Sequence, residues 1–195
     1  MSDIQVSKSI LAKLLASENL NISHDASVHT AYFDLNTRTL VCPVWKDMDG
    51  ALYDLLMGHE VGHALETPKQ GWHDALHDGE GNKVSEKFKG FLNVIEDARI
   101  EKKIKRKFPG LSKSFATAYK DLYERDFFGV KTIDVNKLNL IDRINLRFKL
   151  GAHIPVSFSD AERAIVQEIE NAETWDQVVD IAKRVFAMVK EDDSK

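Results

Sequence analysis

His59 and His63 are four residues apart, inside a stretch from about residue 50 to residue 66 that contains no proline. Apolar residues recur along this stretch at helical spacing, and Thr67-Pro68 follows it, so the pattern predicts a helix that ends near Glu66. Residues four apart on a helix differ by about 40° around its axis and by about 6 Å along it. Both imidazole rings can therefore reach one metal ion, and the spacing predicts a metal site on this helix.

Glu60 supplies a carboxylate beside the two histidines. Around the helix axis it lies about 100° from His59 and about 60° from His63, which places it next to a bound ion and not behind it. Zinc lowers the pKa of a bound water far below that of bulk water, to roughly 7, and an adjacent carboxylate can then accept a proton. The sequence therefore predicts that Glu60 activates water for hydrolysis.

Gly58 and Gly62 are also four residues apart on the same predicted helix. Each glycine costs a helix about 1 kcal/mol relative to alanine. Their presence indicates that another backbone or a substrate comes close to the helix at these two positions.

A catalytic zinc ion normally has three protein ligands, so a third ligand must come from another part of the chain. The metzincin pattern needs a third histidine six residues after His63, and that position is Lys69. The next long helical pattern, which runs up to Pro109-Gly110, carries the neighbouring carboxylates Glu96 and Asp97. Glu96 flanks the apolar side of that helix whereas Asp97 points away from it, so Glu96 is the preferred ligand and Asp97 the alternative.

The motif residues 58 to 65, together with residues 96 to 101, resemble the corresponding parts of the gluzincin-like zincins. They resemble more closely the metallopeptidase domain that accompanies von Willebrand A-type domains and is known from phage genomes. The resemblance covers roughly residues 28 to 108, and more weakly residues 140 to 149, and it implies a zinc-dependent metallopeptidase that hydrolyses peptide bonds. It implies one zinc ion per chain, bound by His59, His63 and Glu96, with Glu60 as the general base.

The resemblance also implies an edge strand along the substrate cleft, which residues 39 to 44 would supply. Residues 28 to 33 and 39 to 44 are rich in β-branched and aromatic side chains and flank Asn36-Thr37, so they predict a β-hairpin before the motif helix. Pro43 suits an edge position or a strand end, because proline cannot donate a ladder hydrogen bond. Most other patterns are helical, so we expect a predominantly helical α+β fold of the zincin-like type.

A single domain is predicted over residues 1 to 190, followed by a disordered acidic tail over residues 191 to 195. Residues 69 to 83 show no apolar period and contain several glycine and asparagine residues, so they predict an exposed loop. Further helices are predicted near residues 4 to 15, 85 to 108, 112 to 127, 135 to 149, 160 to 171 and 175 to 190.

Four side chains are candidates for stabilising the oxyanion that forms during hydrolysis. His73 and His77 lie in the predicted loop, where we favour a surface position because a loop gives no helix to aim both rings. Tyr119 and Tyr123 lie on a predicted helix, and a phenol is a usual oxyanion partner in zincins by resemblance. For these two tyrosines we favour packing in the core.

Composition narrows the setting of the protein. Cys42 is the only cysteine, which excludes an intrachain disulfide and a thiolate-rich zinc site and favours a reducing compartment. The chain shows neither a signal sequence nor a membrane-spanning stretch, so we expect a cytoplasmic protein without a membrane partner. Its net charge of −4 gives no overall attraction to nucleic acid.

Three functional hypotheses follow from the sequence. The leading one is zinc-dependent hydrolysis of an extended peptide or protein substrate. The second is a catalytically silent zincin-like binding or regulatory protein of phage or bacterial type. The third is nucleic-acid binding through the basic residues 102 to 107, which we disfavour because cations in the last turns of a helix also complement its dipole. The oligomeric state and the cleavage preference stay open.

Overall fold

The computed structural model describes residues 20–46, 48–78, 80–151 and 153–192. The helix predicted over residues 4 to 15 lies outside these ranges, as do residues 193–195 of the predicted tail. In chain order the strands are β1 Asn21–Asp25, β2 Tyr32–Asp34 and β3 Thr39–Pro43. The helices are α1 Gly50–Glu66, α2 Lys69–Ala75, α3 Glu86–Lys107, α4 Leu111–Glu124, a short 3-10 turn Val135–Lys137, α5 Leu140–Leu150, α6 Asp160–Asn171 and α7 Trp175–Asp192. The predicted α+β fold with mainly helical content is confirmed.

The described chain divides into two compact units. The first unit comprises the described residues up to Lys69 together with Ile100–Tyr119. The second unit comprises Gln70–Arg99 together with the described residues from Lys120 onward. Helix α3 belongs to both, since its residues up to Arg99 are part of the second unit and its residues from Ile100 are part of the first.

In the first unit the strands form a sheet in the order β1-β3-β2. A hairpin is confirmed as the antiparallel pair β2–β3, but its first strand is Tyr32–Asp34 and not residues 28 to 33. The Asp34 carboxylate holds the turn by accepting from the backbone N–H of Asn36 at 2.7 Å. Strand β1 pairs with β3 in parallel. The expectation that residues 39 to 44 form an edge strand is therefore wrong, because β3 lies between β1 and β2. Pro43 falls at the end of β3, where a missing donor costs the ladder least.

Helix α1 forms over the residues where the sequence predicted it. The Asp49 carboxylate accepts from the backbone N–H of Leu52 at 2.7 Å, which satisfies one of the free donors at the helix start. The last turn closes when the Thr67 backbone N–H donates to the His63 carbonyl at 3.0 Å. The helix contacts β2 and β3, and Met57 Sδ lies 3.7 Å from Cys42 Sγ of the central strand.

The two glycines of α1 confirm that other parts of the chain approach this helix closely. A Cβ atom added at Gly58 would lie 2.8 Å from the ring of Phe115 and 3.2 Å from Leu111, both on α4. A Cβ atom added at Gly62 would lie 2.9 Å from Ile100 Cδ1 and 3.5 Å from the Ile100 carbonyl oxygen, on α3. The glycines thus allow α3 and α4 to pack tightly against α1.

The second unit has its own apolar core, supplied by α3, α5, α6 and α7. The prediction of a loop over residues 69 to 83 is wrong in its first half, where α2 forms. The reason is packing, because Trp72, Ala75 and Leu76 follow the i, i+3, i+4 spacing of a helix face and pack against this core. Within the described ranges, none of the helices combines the length and the apolar composition that a membrane-spanning helix requires.

Candidate metal centre

His59 and His63 lie side by side on α1, as their spacing predicted. Their ring centroids are 5.0 Å apart and the rings meet edge to face at 74°. Both residues are half-buried, which leaves them reachable while restricting the rotamers of their side chains. Two imidazole groups held this close can bind one metal ion together.

His59 is oriented by a carboxylate from α3. Its Nδ1 lies 3.0 Å from Oε1 of Glu101, a residue that is only 4% exposed. Because a carboxylate oxygen accepts, the imidazole Nδ1–H is the donor in this bond, and the neutral ring then carries its lone pair on Nε2. The contact therefore prepares Nε2 of His59 for a metal ion.

His63 has the same arrangement with a different acceptor. Its Nδ1 lies 2.9 Å from Oγ1 of Thr67, the residue that caps the C-terminus of α1. When the hydroxyl oxygen accepts from Nδ1–H, Nε2 of His63 is also left as the metal-binding nitrogen. Metal-binding histidines in proteins commonly donate their other ring N–H to a carboxylate or another oxygen, and both histidines here match that pattern.

Glu101 is the residue of this centre that the sequence did not identify. Besides His59, its Oε1 accepts a short hydrogen bond from the hydroxyl of Tyr119 on α4. Its Oε2 lies 3.6 Å from Nζ of Lys105, one turn further along α3. Two hydrogen-bond donors and one ammonium group thus surround this buried carboxylate, and such partners are the condition under which a protein keeps a charged group away from water.

Glu60, the predicted general base, is 6% exposed. Burial raises the pKa of the Cys42 thiol well above its usual range, and the negative charge of Glu60 raises it further. The carboxylate of Glu60 therefore lies close enough to the central strand to act electrostatically on it. The structure places this carboxylate in the first unit with both histidines, on the same helix.

The two carboxylates considered as the third ligand lie in the part of α3 that belongs to the second unit. Glu96 is fully buried, and both of its oxygens accept from the Arg99 guanidinium, at 2.7 Å and 2.8 Å. Asp97 accepts from Asn93 Nδ2 at 3.3 Å and from Lys149 Nζ at 3.1 Å. Both oxygens of Glu96 are therefore bonded to Arg99, whereas the sequence predicted Glu96 as a metal ligand.

The four oxyanion candidates have different surroundings. His73 is exposed and His77 is half-buried, and their rings stack with centroids 4.3 Å apart. Tyr119 is buried, with its hydroxyl bonded to Glu101. Tyr123 is half-buried, and Lys131 Nζ lies 5.9 Å from the centre of its ring.

The basic stretch at the end of α3 is partly engaged in ion pairs. Lys103 Nζ lies 2.7 Å from Glu66, and Lys105 Nζ lies near Glu101. Such pairs reduce the positive charge that a phosphate backbone would meet.

Comparison with protein-family models, with curated proteins and with solved structures finds no match for this chain. The resemblance to zincins therefore rests on the motif residues alone.

Proposed function

We propose that this chain is a zinc-dependent metallopeptidase that hydrolyses peptide bonds. The observation that carries the proposal is the paired orientation of the two histidines. Nδ1 of His59 and Nδ1 of His63 both lie within hydrogen-bond distance of oxygen acceptors, so Nε2 is the nitrogen of each ring that carries the lone pair a metal ion needs. A helix that served only for packing would have no need to fix the same ring nitrogen of two neighbouring histidines.

We assign the third ligand to Asp97 in place of Glu96. Along α3, Asp97 lies one helical turn before Glu101, so the two carboxylates share a face of that helix, and Glu101 is the partner of His59.

Glu96 lies about 100° from Asp97 around the axis of α3. It would have to give up both bonds to Arg99 before it could bind a metal ion. Two imidazole nitrogens and one carboxylate form a ligand set that catalytic zinc uses in known hydrolases, with a position left for water.

When bound, zinc supplies Lewis acidity, which polarises a peptide carbonyl and lowers the pKa of water toward about 7. The chain itself supplies the proton acceptor. The Glu60 carboxylate, next to His59, takes the proton from the attacking water and returns it to the leaving amine. Its burial at 6% exposure keeps bulk water from competing for that proton.

The proposal is tested with three proteins, namely wild type, His59→Ala and Glu60→Gln. We expect about one zinc ion per wild-type chain by metal analysis and loss of that zinc in His59→Ala. We expect Glu60→Gln to keep its zinc and to lose cleavage of a peptide library, since an amide cannot accept the proton. Chelator should abolish cleavage by the wild type.

Zinc binding with peptide capture and no cleavage would favour the silent binding protein over the enzyme. Cleavage by Glu60→Gln within a few fold of wild type, at full zinc occupancy, would eliminate the proposed mechanism. The single cysteine, free and buried at Cys42, supports our further proposal of a reducing, cytoplasmic setting.

A further inference from the structure

We propose that Tyr119, acting through Glu101, is a positioning residue that fixes the tautomer of His59. The inference rests on the proposed metal site and concerns how that site is prepared before any ion binds. The hydroxyl of Tyr119 donates to Oε1 of Glu101, and the same oxygen accepts from Nδ1 of His59. The three groups therefore form one continuous chain of hydrogen bonds.

The three residues of this chain all belong to the first unit, and each lies on a different helix. Tyr119 lies on α4, Glu101 on α3 and His59 on α1. Tyr119 is 7% exposed and Glu101 is 4% exposed, so water does not easily replace either partner. The packing of these helices thus decides which ring nitrogen of His59 carries the proton.

The direction of every bond in the chain is set by chemistry. A carboxylate oxygen has no proton to give when it is ionised, so the phenol and the imidazole must both donate to it. The Lys105 ammonium lies 3.6 Å from Oε2, the other oxygen of the Glu101 carboxylate. Its attraction for Oε2 helps to keep Oε1 directed at Tyr119 and His59. His59 consequently carries its proton on Nδ1 and its lone pair on Nε2.

This role differs from that of an oxyanion partner. A tyrosine that stabilises an oxyanion must direct its hydroxyl at the substrate, whereas the hydroxyl of Tyr119 is directed at Glu101 inside the protein. The proposal therefore assigns Tyr119 to the orientation of His59 and to the affinity of the site for its metal.

The test uses Tyr119→Phe and Glu101→Gln, with Tyr123→Phe as the matched control. Tyr123 lies one turn further along α4, so the control removes the same hydroxyl group from the same helix. Long-range proton–nitrogen NMR spectra of the metal-free protein report which nitrogen of His59 is protonated. Competition titration with Zn²⁺ against a chromogenic chelator reports affinity.

We expect Nδ1–H on His59 in wild type and in Tyr123→Phe. Glu101→Gln should lose the preference for that tautomer and weaken zinc binding by about 10 to 100 fold. Tyr119→Phe should shift both readouts in the same direction by a smaller amount, and circular dichroism checks that each variant folds. Nε2–H on wild-type His59, or a Tyr119→Phe protein equal to wild type in both readouts, overturns the inference.

The two proposals fail in different ways. A wild-type protein that holds the Nδ1–H tautomer through Tyr119 but binds no zinc supports the inference and removes the proposed function. A wild-type protein that binds zinc while Tyr119→Phe and Glu101→Gln bind it equally well keeps the proposed function and removes the inference.

Discussion

Thr67 contacts His63 twice, once through its backbone N–H, which donates to the His63 carbonyl at 3.0 Å, and once through its hydroxyl, which lies 2.9 Å from Nδ1. One residue thus ends helix α1 and orients the second histidine of the candidate metal centre. The two contacts can be separated by mutation, because only one of them needs the side chain.

Thr67→Val keeps the shape of the side chain and the backbone bond but removes the acceptor for His63 Nδ1. We expect zinc affinity to fall by about 10 to 100 fold, as is usual when the outer hydrogen bond of a metal-binding histidine is lost. Thr67→Ser retains the hydroxyl and should bind zinc like wild type. Equal affinity of the valine and serine variants, measured by competition with a chelator, would show that the hydroxyl does not orient His63.

Asp97→Ala and Glu96→Gln should affect different properties. Asp97→Ala removes the proposed third ligand, and two imidazoles alone are too few to hold zinc in its usual geometry, so most zinc should be lost. Glu96→Gln weakens a buried ion pair with Arg99, which should lower the free energy of unfolding by on the order of 3 kcal/mol while zinc affinity is retained. Metal titration and urea unfolding of both variants measure the two effects. A folded Glu96→Gln protein without zinc, beside an Asp97→Ala protein that keeps it, would restore Glu96 as the ligand.

Gly58→Ala and Gly90→Ala should change stability in opposite directions. Both glycines lie inside helices, where alanine is better by up to about 1 kcal/mol. Nothing lies within 4 Å of a Cβ atom added at Gly90, so this variant should be more stable than wild type. At Gly58 the added atom meets the ring of Phe115, which is 1% exposed and has no room to move, so a loss of about 1 to 3 kcal/mol should result. Thermal unfolding of the two variants would contradict this if both melted above wild type.

Glu162 gives the first turn of α6 a pH-dependent contribution to stability. The Arg143 guanidinium, which donates to both of its oxygens, and the Ser159 backbone N–H hold the pKa of the Glu162 carboxyl below its usual value. Because the folded pKa is lowered, the stabilisation is present above the usual glutamate pKa and is lost as pH falls through the lowered one. We expect Glu162→Gln to cost about 1 to 2 kcal/mol at neutral pH and progressively less in acid.

The exposed Glu170 on the same helix, paired with Arg147 at 3.3 Å, offers the control. Glu170→Gln makes the same chemical change in a solvent-exposed pair, which is worth little, so it should leave stability nearly unchanged. Urea unfolding of both variants at pH 7 and pH 3 measures the comparison. A cost of Glu162→Gln that stays the same at both pH values would rule out the ionised carboxylate as its cause.

The starts of α1 and α6 were predictable because their signals are local. Asp49 and Ser159 cap α1 and α6 by accepting from backbone N–H groups three residues later, and such residues are visible in the sequence. Strand β1 was not predictable, because Asn21–Asp25 consists mostly of polar residues with low strand propensity. It pairs with β3 through backbone N–H and C=O groups, and because every residue type except proline carries both groups, the sequence does not indicate this pairing. Helix α2, with seven residues, depends in the same way on the core it packs against.

In the candidate metal centre, too, the local features were predictable from the sequence and the long-range contacts were not. The pair His59 and His63 is encoded by a spacing of four residues, and a regular helix is sufficient to bring the rings together. The contact between His59 and Glu101 joins residues that are 42 apart in the sequence, and no periodic pattern of residues predicts such a contact. Glu96 was preferred as a ligand because it flanks an apolar face, but the sequence could not show that Arg99, three residues later, takes both of its oxygens.

The division of the first unit between two stretches of chain has a consequence for protein synthesis. A ribosome adds about 5 to 20 residues per second, so the acceptor of His63 is made almost at once after it, since Thr67 is four residues away. His59 must wait on the order of seconds for Glu101, and longer for Tyr119, because Gln70–Arg99 is translated first. A nascent chain that has not yet reached Glu101 therefore carries one histidine with its acceptor already beside it and one without.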